Sequence, residues 1–178
     1  LFVVIGFPNN KNLLNKNMVL SLSNGLFLLA PMVASLAILH SQDRTLVLLL
    51  CFLIWAADIG AYFSGKYFGR KKLCPQVSPN KTFEGCYGGI LLAQVVAISY
   101  VAIIVQSPKT NDFLVFCFLA LVVSLVSVLG DLFESALKRM SGQKDSGKLL
   151  PGHGGLLDRI DSLTSSAPIF LMLVVFVL

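Results

Sequence analysis

Apolar runs, each close to the length of a membrane-spanning helix, divide this sequence into segments. A helix needs about 20 consecutive, mainly apolar residues to cross the hydrocarbon core of a bilayer. The runs that reach or approach this length lie at about 23–39, 45–64, 86–105, 113–133 and 163–178. Charged residues make up only 13% of the chain, against about 25% in an ordinary soluble domain. The predicted fold class is therefore all-α, a polytopic integral membrane helical bundle.

The two ends of the sequence are also apolar. Residues 1–7 lack the basic flank and the small-residue cleavage site of a signal peptide. The chain begins without Met and stops inside an apolar run. We therefore expect residues 1–178 to form a single transmembrane domain, as a fragment truncated at both ends.

The basic residues are distributed unevenly between the loops that join these spans. Loops 8–22, 65–85 and 138–162 hold twelve of the fourteen Lys and Arg residues, and loops 40–44 and 106–112 hold one each. The five spans place the three basic loops on one side of the membrane and the two loops with few basic residues on the other. Because basic loops remain in the cytoplasm, the sequence predicts that the three basic loops are cytoplasmic.

Asp58 lies within an apolar run, near its predicted cytoplasmic end. A carboxylate inside a membrane span is costly and by default marks a functional site. Tyr62 follows one helical turn later, so it shares a face with Asp58. A residue that merely reaches towards the aqueous boundary is the alternative, and the pattern leaves it open.

Two further pairs of acidic residues flank the last basic loop. Asp131 and Glu134 end one apolar run, and Asp158 and Asp161 precede the next, both at i, i+3 spacing, which places each pair on one helix face. Carboxylates suit Mg²⁺, which commonly takes one or two of them together with substrate phosphates. The neighbouring Lys and Arg residues suit phosphate oxygens. The pattern indicates metal-assisted phosphate chemistry, with mutual salt bridges as the alternative.

Two loops have the composition of anion-binding segments. In residues 151–155 the glycines on both sides of His153 allow backbone N–H groups to approach an anion. Residues 78–85 place hydroxyls and a lysine just before a span, where a helix start could present N–H donors and its positive end to phosphate. The alternatives are a flexible turn and a histidine that only forms structural hydrogen bonds.

The last basic loop resembles the signature of the phosphatidate cytidylyltransferase family. That signature has the form S-x-x-K-R, four residues, K-D, seven residues, H-G-G, two residues, D-R-x-D. The match is complete in this sequence, at Ser135, Lys138, Arg139, Lys144, Asp145, His153, Gly154, Gly155, Asp158, Arg159 and Asp161. Upstream, residues 58–85 resemble the family's other well-marked region, with Asn80 and Phe83 standing where many members have Lys and Trp.

The resemblance implies an all-helical membrane enzyme that transfers CMP from CTP to phosphatidic acid, giving CDP-diacylglycerol and pyrophosphate. Mg²⁺ is the implied cofactor, and a second cation is left open. The implied partners are CTP, phosphatidic acid, membrane lipids and a second copy in a homodimer, with no nucleic acid. The implied location is the bacterial inner membrane, with the active site facing the cytoplasm.

The resemblance also implies roles for individual residues. The metal ligands would be Asp131, Asp158 and Asp161. Catalytic roles fall on Asp131, Lys138, Arg139, Lys144, Asp145, His153 and Arg159. Substrate-binding roles fall on Asp58, Tyr62, Ser78, Lys81, Thr82, Glu84, Gly154 and Gly155.

The two motif regions are predicted to form one site. Two spans of about 20 residues separate them, so the chain crosses the membrane twice and returns to the same face. An antiparallel helix pair can then place the two loops side by side. We therefore expect Lys81 to lie close to Asp131 and Asp158.

Two other functions remain alternatives. A CTP-dependent lipid kinase acting on a polyprenol or phytol would share the membrane setting, CTP and Mg²⁺, but the complete signature argues against it. A transporter would place Asp58 and Asp131 along a midplane path, whereas both lie near predicted cytoplasmic ends.

Overall fold

The computed structural model of the chain describes residues 18–140 and 160–177. Within that part, five helices account for most of the residues: α1 (Met18–Gln42), α2 (Arg44–Phe68), α3 (Phe83–Ile104), α4 (Thr110–Met140) and α5 (Asp161–Val177). Two short strands, β1 (Lys72–Cys74) and β2 (Ser78–Thr82), form an antiparallel hairpin between α2 and α3. The predicted all-α class is confirmed, and the hairpin is an addition that the sequence analysis treated as loop.

Among the residues that the structure describes, three helices are long and apolar enough to cross a membrane: Arg44–Phe68, Phe83–Ile104 and Thr110–Arg139. Leu29–Gln42 and Asp161–Val177 are shorter apolar helical segments. The helices extend beyond most of the predicted spans because polar and charged residues of the first and last turns are also helical.

The central helix of the bundle is α2, which contacts each of the other four helices. Its leucines Leu49, Leu50 and Leu53 are buried, together with Ala97 of α3 and Phe170 of α5. The helix α2 is therefore packed on several sides, and this packing holds the side chains near its C-terminal end in a defined position.

The helices α2 and α3 approach each other at glycines. A Cβ atom at Gly60 would lie 2.5 Å from the carbonyl oxygen of Gly88, and one at Gly89 would lie 2.5 Å from that of Ala57. Small residues of this kind allow the backbones of membrane helices to touch. A larger side chain at either position would force the two helices apart and displace the hairpin that joins them.

The connections between helices alternate between the two ends of the bundle. At one end, the Thr45 hydroxyl at the start of α2 lies 2.7 Å from the Tyr100 hydroxyl near the end of α3. At the other end, the hairpin meets the last turns of α4, through Lys81 and Asp131. This alternation agrees with the prediction that the basic loops lie at one end of the bundle and the loops with few basic residues at the other. Which end faces the cytoplasm stays a prediction.

Candidate active site

A cavity of about 340 Å³ lies where the hairpin meets the helices. Four elements contribute to its wall: α2, the hairpin, the first turn of α3, and α4. The lining residues are Asp58, Ala61, Tyr62, Leu73, Ser78, Asn80, Lys81, Thr82, Gly85, Cys86, Val128 and Asp131. The cavity thus joins the upstream motif region to the helix that begins the downstream one.

The most informative contact in this cavity is the ion pair between Lys81 and Asp131. The Lys81 ammonium forms a salt bridge with Oδ2 of Asp131, and both side chains remain partly exposed, at 25% and 32%. The predicted proximity of these two residues is confirmed. The carboxylate of Asp58 lies within electrostatic range of both, and also of Asp161. Three carboxylates and one ammonium therefore share this region.

The hairpin presents Lys81 because its base is fixed to α3. Lys72 pairs with Thr82 across the two strands, and the Phe83 N–H donates to the Lys71 carbonyl at 3.0 Å. The Glu84 carboxylate accepts hydrogen bonds from the backbone N–H groups of Arg70, at 3.1 Å, and Lys71, at 3.2 Å. Glu84 does not line the cavity. Its predicted substrate contact remains untested, and its observed contacts hold the chain that enters the hairpin.

Thr82 caps the N-terminus of α3. Its buried Oγ1 accepts a hydrogen bond from the Gly85 N–H at 3.1 Å. The N–H groups of Phe83 and Gly85 are thus both used within the protein. The expectation that this helix start presents its N–H donors to phosphate is wrong for these two groups. At the cavity wall α3 contributes Gly85, Cys86 and the positive end of its dipole.

The last turns of α4 carry a row of polar side chains on one face, as the i, i+3 spacing predicted. The Ser135 hydroxyl donates to Oδ1 of Asp131 at 3.4 Å. The Lys138 ammonium lies 3.4 Å from a carboxylate oxygen of Glu134. Arg139 is exposed. Asp131 is therefore the residue of this row that reaches the cavity.

Asp161 is the first residue of α5 and precedes its apolar stretch. Its carboxylate accepts a hydrogen bond from the Ser162 N–H at 2.7 Å. Burial, followed by the nearby Asp131 carboxylate, raises the pKa of Asp161 above its ordinary value. Over residues 18–140 and 160–177, no group of three or more His, Cys, Asp and Glu side chains is placed to hold a metal ion. The predicted metal-binding role of Asp131 and Asp161 stays a prediction.

The structure brings together six of the predicted site residues around one cavity: Asp58, Tyr62, Ser78, Lys81, Thr82 and Asp131. Seven others lie outside the described residues: Lys144, Asp145, His153, Gly154, Gly155, Asp158 and Arg159. Sequence reasoning missed Leu73 and Val128, which line the cavity as apolar side chains. No chemical signal in the sequence distinguishes them from other core residues.

Two carboxylates and a lysine line a cavity at one end of membrane-length helices, an arrangement that suits a membrane protein with charged ligands at the bilayer surface. The sequence profile of the cytidylyltransferase family matches residues 1–177. The chain therefore belongs to the cytidylyltransferase family.

The curated relatives are similar over most of this chain. It is 42% identical to the phosphatidate cytidylyltransferase of Haemophilus influenzae, covering 100% of this chain and 65% of that protein. It is 47% identical to that of Pseudomonas aeruginosa over 84% of this chain and 55% of the relative. It is 46% identical to that of Bacillus subtilis over 78% of this chain and 51% of the relative. The chain thus spans about half to two thirds of the length of these relatives.

Proposed function

We propose that this chain is the catalytic part of a phosphatidate cytidylyltransferase, which transfers CMP from CTP to phosphatidic acid. The observation that carries the proposal is the Lys81–Asp131 ion pair, because it joins the two motif regions across one cavity. The relatives in Haemophilus influenzae, Pseudomonas aeruginosa and Bacillus subtilis, which are phosphatidate cytidylyltransferases, support the same activity. Membership of the family supports it as well.

The reaction forms one bond and breaks one. An oxygen of the phosphatidate phosphate attacks the α-phosphorus of CTP and forms a new P–O bond. The bond from that phosphorus to the oxygen bridging the α- and β-phosphates breaks, and pyrophosphate leaves with the electron pair. The attacking phosphate is already largely ionised near neutral pH, so we assign no general base.

Both reactants are anions, so their mutual repulsion is the first barrier. Lys81 would offset it by exchanging its contact with Asp131 for a contact with a substrate phosphate. A cation placed where charge develops stabilises the transition state. Asp131 pairs with this ammonium at the cavity wall. The downstream cations Lys138, Arg139, Lys144 and Arg159 are proposed to hold the remaining phosphate oxygens.

The carboxylates near the cavity fit the proposed Mg²⁺. Asp131 lines the cavity and Asp161 lies within its electrostatic range. Both supply oxygen atoms, the donors that Mg²⁺ prefers, and Mg²⁺ usually takes only one or two carboxylates beside phosphates and waters. Asp131, Asp161 and Asp158 would hold the ion. When bound, it would supply positive charge to the phosphate oxygens.

The site is proposed to face the cytoplasm, because the loops that carry its residues are the basic ones. A cavity at this end of the helices would receive CTP from water and the lipid from the bilayer. We also propose the bacterial inner membrane as its location, since the named relatives are bacterial proteins. A homodimer remains a further proposal.

The direct test is an assay of the purified full-length protein with labelled CTP and phosphatidate, with and without Mg²⁺. We expect CDP-diacylglycerol and pyrophosphate in equal amounts, and only with Mg²⁺. Release of CDP with a phosphorylated lipid would identify a lipid kinase instead. Solute flux in vesicles without CTP, with no nucleotide product, would favour a transporter.

A further inference from the structure

Tyr62 belongs to two environments at once. Its side chain lines the cavity that holds Lys81 and Asp131, and it is also 62% exposed. It lies on α2, a helix of membrane-spanning length, close to the end where the hairpin begins. The cavity wall therefore reaches the outer surface of the bundle at this residue.

The surface around Tyr62 combines aromatic rings with a lysine. We call Tyr62, Phe63, Lys66 and Tyr67 the aromatic–lysine rim. The three aromatic side chains are at least half exposed, and the Tyr62 and Phe63 rings meet edge to face at 5.4 Å between centroids. The Lys66 ammonium lies 5.7 Å from the Tyr62 ring centroid and 6.0 Å from that of Tyr67. Amphipathic rings and lysines of this kind lie at the headgroup level of a bilayer.

Lys66 carries a charge that no carboxylate balances within residues 18–140 and 160–177. In the described part of the chain, no Asp or Glu lies within salt-bridge distance of its ammonium. Arg70 and Lys71 follow in the same exposed segment and add positive charge. An anionic headgroup is the complementary partner for such a surface. A phosphomonoester, with a charge of about −1.5 to −2 near pH 7, fits it better than a singly charged phosphodiester.

We propose that the aromatic–lysine rim captures the phosphomonoester headgroup of the lipid substrate from the bilayer and passes it by Tyr62 into the cavity. The inference rests on the proposed function for the identity of that lipid. Lys66 holds the headgroup at the rim, and Lys81 receives it inside. The rim therefore controls access of the lipid and has no part in the use of CTP.

The first test compares steady-state kinetics of full-length variants in mixed micelles at varied mole fractions of phosphatidate. We expect Lys66→Gln to raise KM for phosphatidate about fivefold, with KM for CTP and kcat unchanged. Lys66→Arg should retain the low KM. Lys109→Gln removes the same charge at the opposite end of the bundle and serves as the matched control. An equal effect of Lys66→Gln on both substrates, or an equal effect of the two Gln variants, would overturn the inference.

The second test detects the lipid directly. A benzophenone-bearing phenylalanine at position 63, in vesicles containing phosphatidate or phosphatidylglycerol, should cross-link phosphatidate in preference, and Lys66→Gln should reduce that labelling. Position 52 is the control, because Phe52 is exposed on nearly the same face of α2, about 16 Å along the helix. Equal labelling of the two lipids, or no excess over position 52, would contradict a specific rim.

These two outcomes separate the inference from the proposed function. Cross-linking needs neither CTP nor turnover. Selective labelling by a protein that releases no pyrophosphate would refute the cytidylyltransferase activity and leave the rim standing. Normal turnover without preferential labelling of phosphatidate at position 63 would refute the rim and leave the cytidylyltransferase activity standing.

Discussion

At one end of the bundle, a hairpin joins α2 to α3 and carries Lys81 into a cavity. At the other end the connections between helices are short, and a pair of hydroxyl groups links α2 to α3. The first end places an ammonium against a carboxylate from another helix. The second places the Thr45 hydroxyl against that of Tyr100, at 2.7 Å, where the half-buried Tyr100 ring also packs on Phe116. Both contacts join elements that are distant in sequence.

The difference lies in what each contact leaves available. The hydroxyl pair satisfies two polar groups, and neither of its residues lines the cavity that holds Lys81. The Lys81–Asp131 pair is partly exposed and lies in the wall of a cavity. An ion pair in that setting contributes little to stability, because solvent screens it. Under the proposed function both charges would be redirected to a ligand, and the comparison would then separate a functional contact from a structural one.

Removal of the Lys81 ammonium tests this comparison with the largest expected effect. We expect Lys81→Ala to lower kcat/KM by about 10²-fold, with little change in thermal stability. Lys81→Arg should not restore activity fully, because a planar fork replaces a compact point charge. The measurement is CDP-diacylglycerol formation by purified protein.

Lys72→Ala is the matched control for this prediction. Lys72 lies in the same hairpin but is exposed and does not line the cavity. Its loss should leave activity near that of the unaltered protein. Unchanged kcat/KM for both substrates in Lys81→Ala would show that the ion pair is only structural.

A smaller effect is expected from substitution of Glu84, which lies at the hairpin end of the bundle but outside the cavity. Glu84→Gln replaces charge-assisted hydrogen bonds to the Arg70 and Lys71 N–H groups by weaker neutral ones. The hairpin should then hold Lys81 less firmly, and kcat should fall about tenfold. Glu84 is therefore a positioning residue in this account.

The double variant with Lys81→Ala distinguishes positioning from a general loss of structure. If Glu84 acts through Lys81, the Gln substitution should cost little once Lys81 is absent, because effects of coupled residues are not additive. A tenfold loss in both backgrounds would remove Glu84 from the positioning of Lys81. A change in KM for CTP alone would instead support the direct substrate contact that the sequence analysis predicted.

The fold was predictable because the apolar spans are long and separated by charged loops. The pairing of Lys81 with Asp131 was also predictable, since two crossings return the chain to the same face. The hairpin was not predictable from the sequence. Residues 72–82 include Pro75 and Pro79 and show no alternating pattern, and the strands depend on contacts with Glu84 and α3 that spacing alone cannot reveal. The resemblance implied a substrate-binding role for Glu84, and spacing could not reveal that its carboxylate accepts hydrogen bonds from the preceding backbone.

The hydroxyl pair at the opposite end gives the smallest expected effect and the sharpest contrast. Tyr100→Phe keeps the ring that packs on Phe116 and removes only the hydroxyl that meets Thr45. We expect the loss of one hydrogen bond to cost about 0.5–1.5 kcal/mol, seen as a lower Tm in detergent. Thr45→Val should cost a similar amount, and the double variant should cost less than the two together, because each removes the same contact. Neither should change kcat/KM by more than about twofold, since no reacting group is nearby. A loss of activity comparable to that of Lys81→Ala would mean that both ends of the bundle serve the reaction, and the separation drawn between them would fail.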